Sequence, residues 1–182
     1  MKKALIIIVV LVIGLAIFVI FSGAFHSVTI AEKEMGPFTM VLKKHTGSYA
    51  KTAPVFDQVS AVLKTSIDTK KLKGVGLYYD DPAKVKKELL RSECGFIIDD
   101  ADAGKIGILP DGFKITKFKK TRCAVGEFPL KTFLSYMIGP FRAYPKLSEF
   151  IKGKAMEADY GLEIYDTEHG IILYCMPLGA AE

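Results

Sequence analysis

Gly76-Leu77-Tyr78-Tyr79-Asp80, running into Asp81-Pro82, has a counterpart at Gly161-Leu162-Glu163-Ile164-Tyr165-Asp166 near an offset of 86 residues, and this pair decides the fold. Each copy is a glycine followed by apolar and β-forming residues that stop at an acidic turn residue, which is the pattern of a strand entering a turn. Around the first copy, Val75 to Tyr79 and Ser92 to Ile98 read as strands. They are separated by Asp80-Asp81-Pro82 and a short helical turn containing Val85 and Leu89. Upstream, Phe38, Met40 and Leu42 alternate with Thr39, Val41 and Lys43, a half-buried strand ending near His45-Thr46-Gly47. Val55, Phe56, Val59, Val62 and Leu63 then recur at helical spacing behind Pro54, predicting a helix from Pro54 to Ile67. The first half, residues 30–99, reads βαββ.

The second half, residues 113–178, repeats the order. Phe113 to Phe118 and Arg122 to Phe128 read as strands, and Phe133, Met137, Phe141, Tyr144, Leu147, Phe150 and Ile151 supply a helical apolar face broken near Gly139-Pro140 and Pro145. Leu162 to Tyr165 and Ile171 to Met176 are the closing strands. A second correspondence, Gly47-Ser48-Tyr49 with Gly139-Pro140-Phe141, lies at an offset of 92. The chain is thus expected to be α+β, a duplicated βαββ unit whose two antiparallel sheets flank a cleft. Between the halves, residues 99–112 form a polar, glycine-bearing linker. Its Asp99, Asp100 and Asp102 do not make a calcium loop, because EF-hand counting puts Ala101 and Ala103 at ligand positions and Pro110 where a bidentate Glu belongs.

Ahead of both halves, Ala4 to Phe21 runs eighteen residues without a charge, an amide side chain or a proline. That is roughly 27 Å of helix, close to a bilayer's hydrocarbon thickness. Ser22, Gly23 and Ala24 offer small residues for signal-peptide cleavage, but the apolar core of a signal peptide usually spans only about 7 to 15 residues. Residues 1–24 therefore read as an uncleaved single-pass signal anchor and residues 25–182 as the domain. Lys2 and Lys3 precede the helix and the next basic residue is Lys33. The positive-inside rule then puts the N-terminus in the cytoplasm and the domain outside it.

The net charge is +5, and subtracting Lys2 and Lys3 leaves +3, too mild for nucleic-acid binding. Lysine clusters at Lys70, Lys71 and Lys73, at Lys84, Lys86 and Lys87, and at Lys117, Lys119 and Lys120 read as solvated faces. Cys94, Cys123 and Cys175 share no CxxC spacing and lie among apolar neighbours, as small buried hydrophobes do. His26, His45 and His169 are far apart, and neither a nucleophile elbow nor a phosphate-cradling loop is present. No catalytic residue, metal ligand or cofactor is assigned.

His45-Thr46-Gly47-Ser48-Tyr49, Leu77-Tyr78-Tyr79-Asp80-Asp81-Pro82 and Leu90-Arg91-Ser92-Glu93-Cys94-Gly95-Phe96 resemble the GyrI-like small-molecule-binding domain, which is also the effector-binding half of multidrug-sensing transcription activators. Thr132 to Leu178 is more specifically similar to the GyrI-like domain of membrane-anchored, testis-expressed ER-phagy receptors of animals. The resemblance implies a tandem SHS2-type domain whose cleft binds hydrophobic, often cationic or planar molecules, with some members hydrolysing reactive compounds. In those binders a glutamate stands four residues before the closing proline of the last strand. With Pro177 as that proline, the position holds Leu173, so the signature carboxylate is expected to be missing.

Glu93, the matching place in the first half, is a candidate substitute, its plain structural reading being a solvent-facing glutamate paired with a lysine. With no Trp in the chain, an aromatic clamp has to come from Tyr49, Tyr78, Tyr136, Tyr144 or Tyr174. The candidate ligand-binding set is Tyr49, Tyr78, Glu93, Tyr136, Tyr144 and Leu173. The leading expectation is a membrane-anchored, non-enzymatic module that captures an apolar or lipid-like small molecule. A protein-interaction adaptor and a hydrolase of reactive molecules are the alternatives. Autophagy-receptor activity is not carried over, because the chain stops at Glu182 where the receptors continue into a long tail. The short chain reads as a bacterial inner-membrane protein, although the receptor resemblance would put the domain in the cytosol.

Overall fold

The computed structural model describes residues 2–179; the expected C-terminal boundary at Glu182 lies outside them. The elements in chain order are α1 (Lys2–Phe21), β1 (Ile30–Met35), β2 (Phe38–Thr46), α2 (Ala53–Leu63), β3 (Lys73–Tyr78), β4 (Arg91–Ile98), the short α3 (Asp100–Ala103), β5 (Phe113–Phe118), β6 (Thr121–Pro129), α4 (Phe133–Gly153), β7 (Gly161–Asp166) and β8 (Ile171–Pro177). All the anticipated strands are present, and β1 is an additional one. Its sequence Ile-Ala-Glu-Lys-Glu-Met is mostly polar because it is an edge strand, where charged side chains discourage further pairing.

The eight strands form one antiparallel sheet in the order β1-β6-β8-β7-β3-β4-β2-β5, which replaces the expected pair of sheets. The joint is β3 against β7, from Gly74 opposite Tyr165 to Tyr78 opposite Gly161, and it makes the ladder continuous. The edge strands are exchanged. β1 leads into β2 through Gly36-Pro37 but pairs with β6, while β5 leads into β6 through Lys119-Lys120 but pairs with β2. The two crossovers touch, with the Phe38 and Phe118 rings stacked at 5.9 Å.

Directly paired residues share a face, so the register places α2 and α4 on the same side of the sheet. Val41, Phe96 and Ile98 pack under α2 with Val59 and Leu63. Ala124, Phe128, Ile172 and Tyr174 pack under α4 with Ala143, Leu147 and Ile151. Among the described residues the other face carries no helix, yet Leu42, Val75, Cys123, Leu162 and Cys175 on it are fully buried. The sheet therefore curls so that its flanks cover one another. All three cysteines are buried and unpaired, and burial pushes the Cys94 thiol up to about 12 and the Cys123 thiol up to about 11.

The prolines of α4 do not break it: Pro140 and Pro145 lie inside one continuous helix. Each removes one backbone donor, while Gly139, Ala143, Leu147 and Ile151 bury a full stripe against β6 and β8, and packing of that stripe outweighs the local loss. Gly139 is thus mid-helix, whereas Gly47 sits in the bend after β2 at φ +133°, so the correspondence between Gly47-Ser48-Tyr49 and Gly139-Pro140-Phe141 does not hold structurally. α2 ends at Leu63, short of the expected Ile67. In the linker, Asp100 accepts hydrogen bonds from Thr39 and Lys117.

Helix α1 has no buried residue and is long and apolar enough to cross a membrane. Its end is tied to the domain at Ser22, which is fully buried.

Candidate ligand cleft

A cleft of about 510 Å³ opens on the helix side of the sheet between α2 and α4, above the β3–β7 joint. Phe56 from α2 and Tyr136 from α4 form its walls, and Gly74, Phe96 and Tyr165 form its floor. Phe56 meets Phe96 at 5.9 Å and Tyr165 at 5.7 Å edge to face, and Tyr136 lies 5.6 Å from Tyr165 with the two rings tilted. Such geometry suits the aromatic quadrupole and presents an apolar surface to the opening. Asp57 and Lys70 lie among the lining residues and supply charge.

Glycines in β3 and β7 make room for these rings. A Cβ at Gly74 would sit 3.2 Å from the Tyr165 ring, one at Gly76 2.7 Å from the Tyr78 ring, and one at Gly161 2.5 Å from the Tyr144 hydroxyl. The glycines of the fold-deciding stretches therefore let tyrosine side chains lie across strand backbone.

Hydrogen-bonded to Tyr165 is a buried carboxylate. Tyr144 donates to Glu163 Oε1 at 2.7 Å and Tyr165 donates to Oε2 at 2.7 Å. Tyr78 completes the chain by donating to the Tyr165 hydroxyl at 3.0 Å. Glu163 is 6% exposed, and among the described residues no cation forms an ion pair with it. Burial raises its carboxyl to about 7, against the two tyrosine hydrogen bonds that favour the anion. Burial and the nearby Glu163 charge push the Tyr78, Tyr144 and Tyr165 hydroxyls well above the ordinary phenol range. The site holds a carboxyl that changes charge near neutrality beside an aromatic cleft.

The sequence candidates divide between the two faces. Tyr136 lines the cleft, and Tyr78 and Tyr144 belong to the network around Glu163. Tyr49 braces a turn: its hydroxyl has one proton to share between the Asp80 and Arg91 carbonyls, at 3.0 and 3.1 Å, and accepts from the Asp80 N–H, with its ring 4.9 Å from Tyr78. Tyr174 is fully buried beneath α4. Glu93 and Leu173 face the other way. Glu93 accepts from the Tyr79 hydroxyl at 2.9 Å and pairs with Lys114 at 2.7 Å, so it has its lysine but is 6% exposed rather than solvent-facing. Leu173 packs on the helix-free core, opposite Ile164. Position 173 holds a leucine as read from the sequence, and Glu163, outside the sequence candidates, supplies a buried carboxylate next to the cleft. Phe56, Phe96, Glu163 and Tyr165 were the residues missed, and the signal for the last two is their two-residue spacing, which puts them on one face of a strand.

A family model described as the GyrI-like small molecule binding domain matches residues 28–170. The chain belongs to the GyrI-like family. Among its relatives, the testis-expressed protein 264 homolog of Mus musculus is 28% identical over 156 residues, covering 81% of this chain. That match takes in 48% of the relative, so the chain spans about half the length of the mouse protein. Among solved structures, the EcmrR C-terminal domain superposes with a TM-score of 0.60 at 10% identity, covering 85% of this chain and 99% of that one. SAV2435, solved bound to tetraphenylphosphonium, superposes with a TM-score of 0.50 at 15% identity, covering 84% and 94%.

Proposed function

We propose that this GyrI-like domain is a membrane-tethered binding module that captures an apolar or lipid-like small molecule in the cleft between α2 and α4, and that molecules carrying one positive centre are preferred. The observation that carries this reading is Glu163, an acid buried without a cationic partner among the described residues and hydrogen-bonded to the Tyr165 that floors the cleft. A lipophilic cation seated on Tyr165 offers both ring contact and the missing counter-charge. SAV2435, with the same fold, was solved with a lipophilic cation of this class, which supports the reading.

A hydrolase is the weaker reading. A carboxyl near neutrality is suited to general-base work, but both Glu163 oxygens already accept from tyrosines and the side chain is sealed from water. The two ββαββ runs of the chain are in our reading a structural duplication, and α1 is a single-pass anchor with Lys2 and Lys3 on the cytoplasmic side.

The test is a thermal-shift titration of the full chain in detergent with tetraphenylphosphonium and, separately, a fatty acid. Saturable stabilisation by the cation that is lost in Glu163→Gln supports the proposal; a ligand at a hundredfold excess over its Kd contributes about 2.7 kcal/mol. Stabilisation by the fatty acid alone, unaffected by Glu163→Gln, would keep the cleft but remove the charge preference. No shift with either compound would sink the small-molecule reading and favour a protein-interaction adaptor.

A further inference from the structure

Among the described residues outside α1, the large exposed apolar side chains are Phe25, Leu89, Ile108, Ile115, Phe133, Tyr136, Met137 and Phe141. Half of them fall on the first two and a half turns of α4. Phe133, Met137 and Phe141 are 67%, 62% and 82% exposed and lie at i, i+4 and i+8, a single stripe on the face turned away from the sheet. In a water-soluble domain this face would be polar.

The end of α1 is fastened to the start of the same helix. Thr132, the N-cap of α4, donates to Ser22 Oγ at 2.7 Å, and the Ser135 hydroxyl donates to the Ser22 carbonyl at 3.2 Å. Just beyond, Arg142 donates two hydrogen bonds to the His26 carbonyl at 3.0 and 3.2 Å. These contacts fix the height of α4 relative to α1. The Phe133 ring lies 6.2 Å from Phe18, which is inside the last turn of α1, and the Lys131 ammonium lies 5.0 Å over the Phe21 ring. Phe133 is thus level with the apolar end of the span, and Lys131 stands where a lysine reaches lipid headgroups.

We infer that α4 docks on the bilayer that holds α1, with Phe133, Met137 and Phe141 seated in the interfacial layer. The occupant of the stripe is phospholipid. This rests on the reading of α1 as a membrane span. Tyr136, beside Met137, lines the ligand cleft, so the docked helix brings one wall of the cleft to the membrane surface. A molecule dissolved in the leaflet then reaches the cleft along α4 without first entering bulk water.

The chain has no Trp, so single substitutions report on their own surroundings. The full chain is reconstituted in phosphatidylcholine vesicles with and without dibrominated lipid, as Phe18→Trp, Met137→Trp, Phe141→Trp and Ile108→Trp, the last being fully exposed on the α2 side. The expected result is loss of emission by bromolipid at Met137→Trp and Phe141→Trp comparable with that at Phe18→Trp, with blue-shifted maxima, while Ile108→Trp stays red and unquenched. Quenching at Phe18→Trp alone, with red emission at positions 137 and 141, would overturn the docking and leave the anchor intact. Blue-shifted but unquenched emission at 137 and 141 would mean that another protein surface covers the stripe, and would also overturn it. Absence of quenching at Phe18→Trp would overturn the anchor and the docking together.

Discussion

The Tyr165 hydroxyl donates to Glu163 at 2.7 Å while the same residue's ring forms the floor of the cleft, so one side chain touches both the ligand space and the buried acid. Removing that hydroxyl in Tyr165→Phe leaves one Glu163 oxygen without its donor and disfavours the anion. We expect weaker binding of a lipophilic cation, roughly tenfold for the loss of about 1 to 1.5 kcal/mol, and little change for an uncharged apolar ligand. Titration calorimetry with both ligand types checks this.

Glu163 also sets a pH dependence of stability. Its folded-state value of about 7 lies above the ordinary 4.5, so the native form holds the proton more tightly than the unfolded chain does. The resulting stabilisation is full below pH 4.5 and is lost as pH rises through 7, about 3 kcal/mol in all. Glu163→Gln mimics the protonated form and should remove this slope, melting higher than the parent at pH 8 and close to it at pH 5. Thermal denaturation at the two pH values is the measurement.

Gly139 and Tyr174 form a steric pair. A Cβ at residue 139 would lie 2.1 Å from the Tyr174 hydroxyl, which is buried with no hydrogen-bond partner among the described residues. Gly139→Ala should cost roughly 1 to 3 kcal/mol from overpacking. Tyr174→Phe alone should be neutral or stabilising, since it deletes an unpaired buried hydroxyl, and the double variant should recover part of the loss, the ring carbon left at 2.9 Å keeping the rest. Urea melts of the three variants form the cycle.

Restoring a glutamate at the place where the sequence pattern wants one should not create a binding site. Leu173 packs on the helix-free face, away from the cleft. Leu173→Glu is expected to destabilise the domain by roughly 1 to 3 kcal/mol and to gain no ligand, which denaturation and thermal-shift assays check side by side.

Alternation and turn chemistry made seven of the eight strands and the long helices legible, because each buries a face with its own period. β1 was hidden because edge strands are selected for charge. Two sheets were expected where there is one because nothing local in Gly74 to Tyr78 says that its free edge meets Gly161 to Asp166. The site was legible only in part for a similar reason. At an offset of 86, Tyr79 matches Tyr165, yet Tyr79 packs in the helix-free core and Tyr78 shares the face of Tyr165. A shift of one residue exchanges the faces of a strand, so short matching motifs located the site elements without saying which side chains enter the cleft.

The exchanged edge strands also impose an order on biosynthesis. β1 emerges directly behind α1, but its partners, Thr121 to Gly126, are made some ninety residues later. At typical elongation rates that interval is on the order of 5 to 20 s. Throughout it, β1 is a strand without a neighbour, and the helix-free core that β6 and β8 help to build does not yet exist. The domain therefore closes only after nearly all of it has left the ribosome.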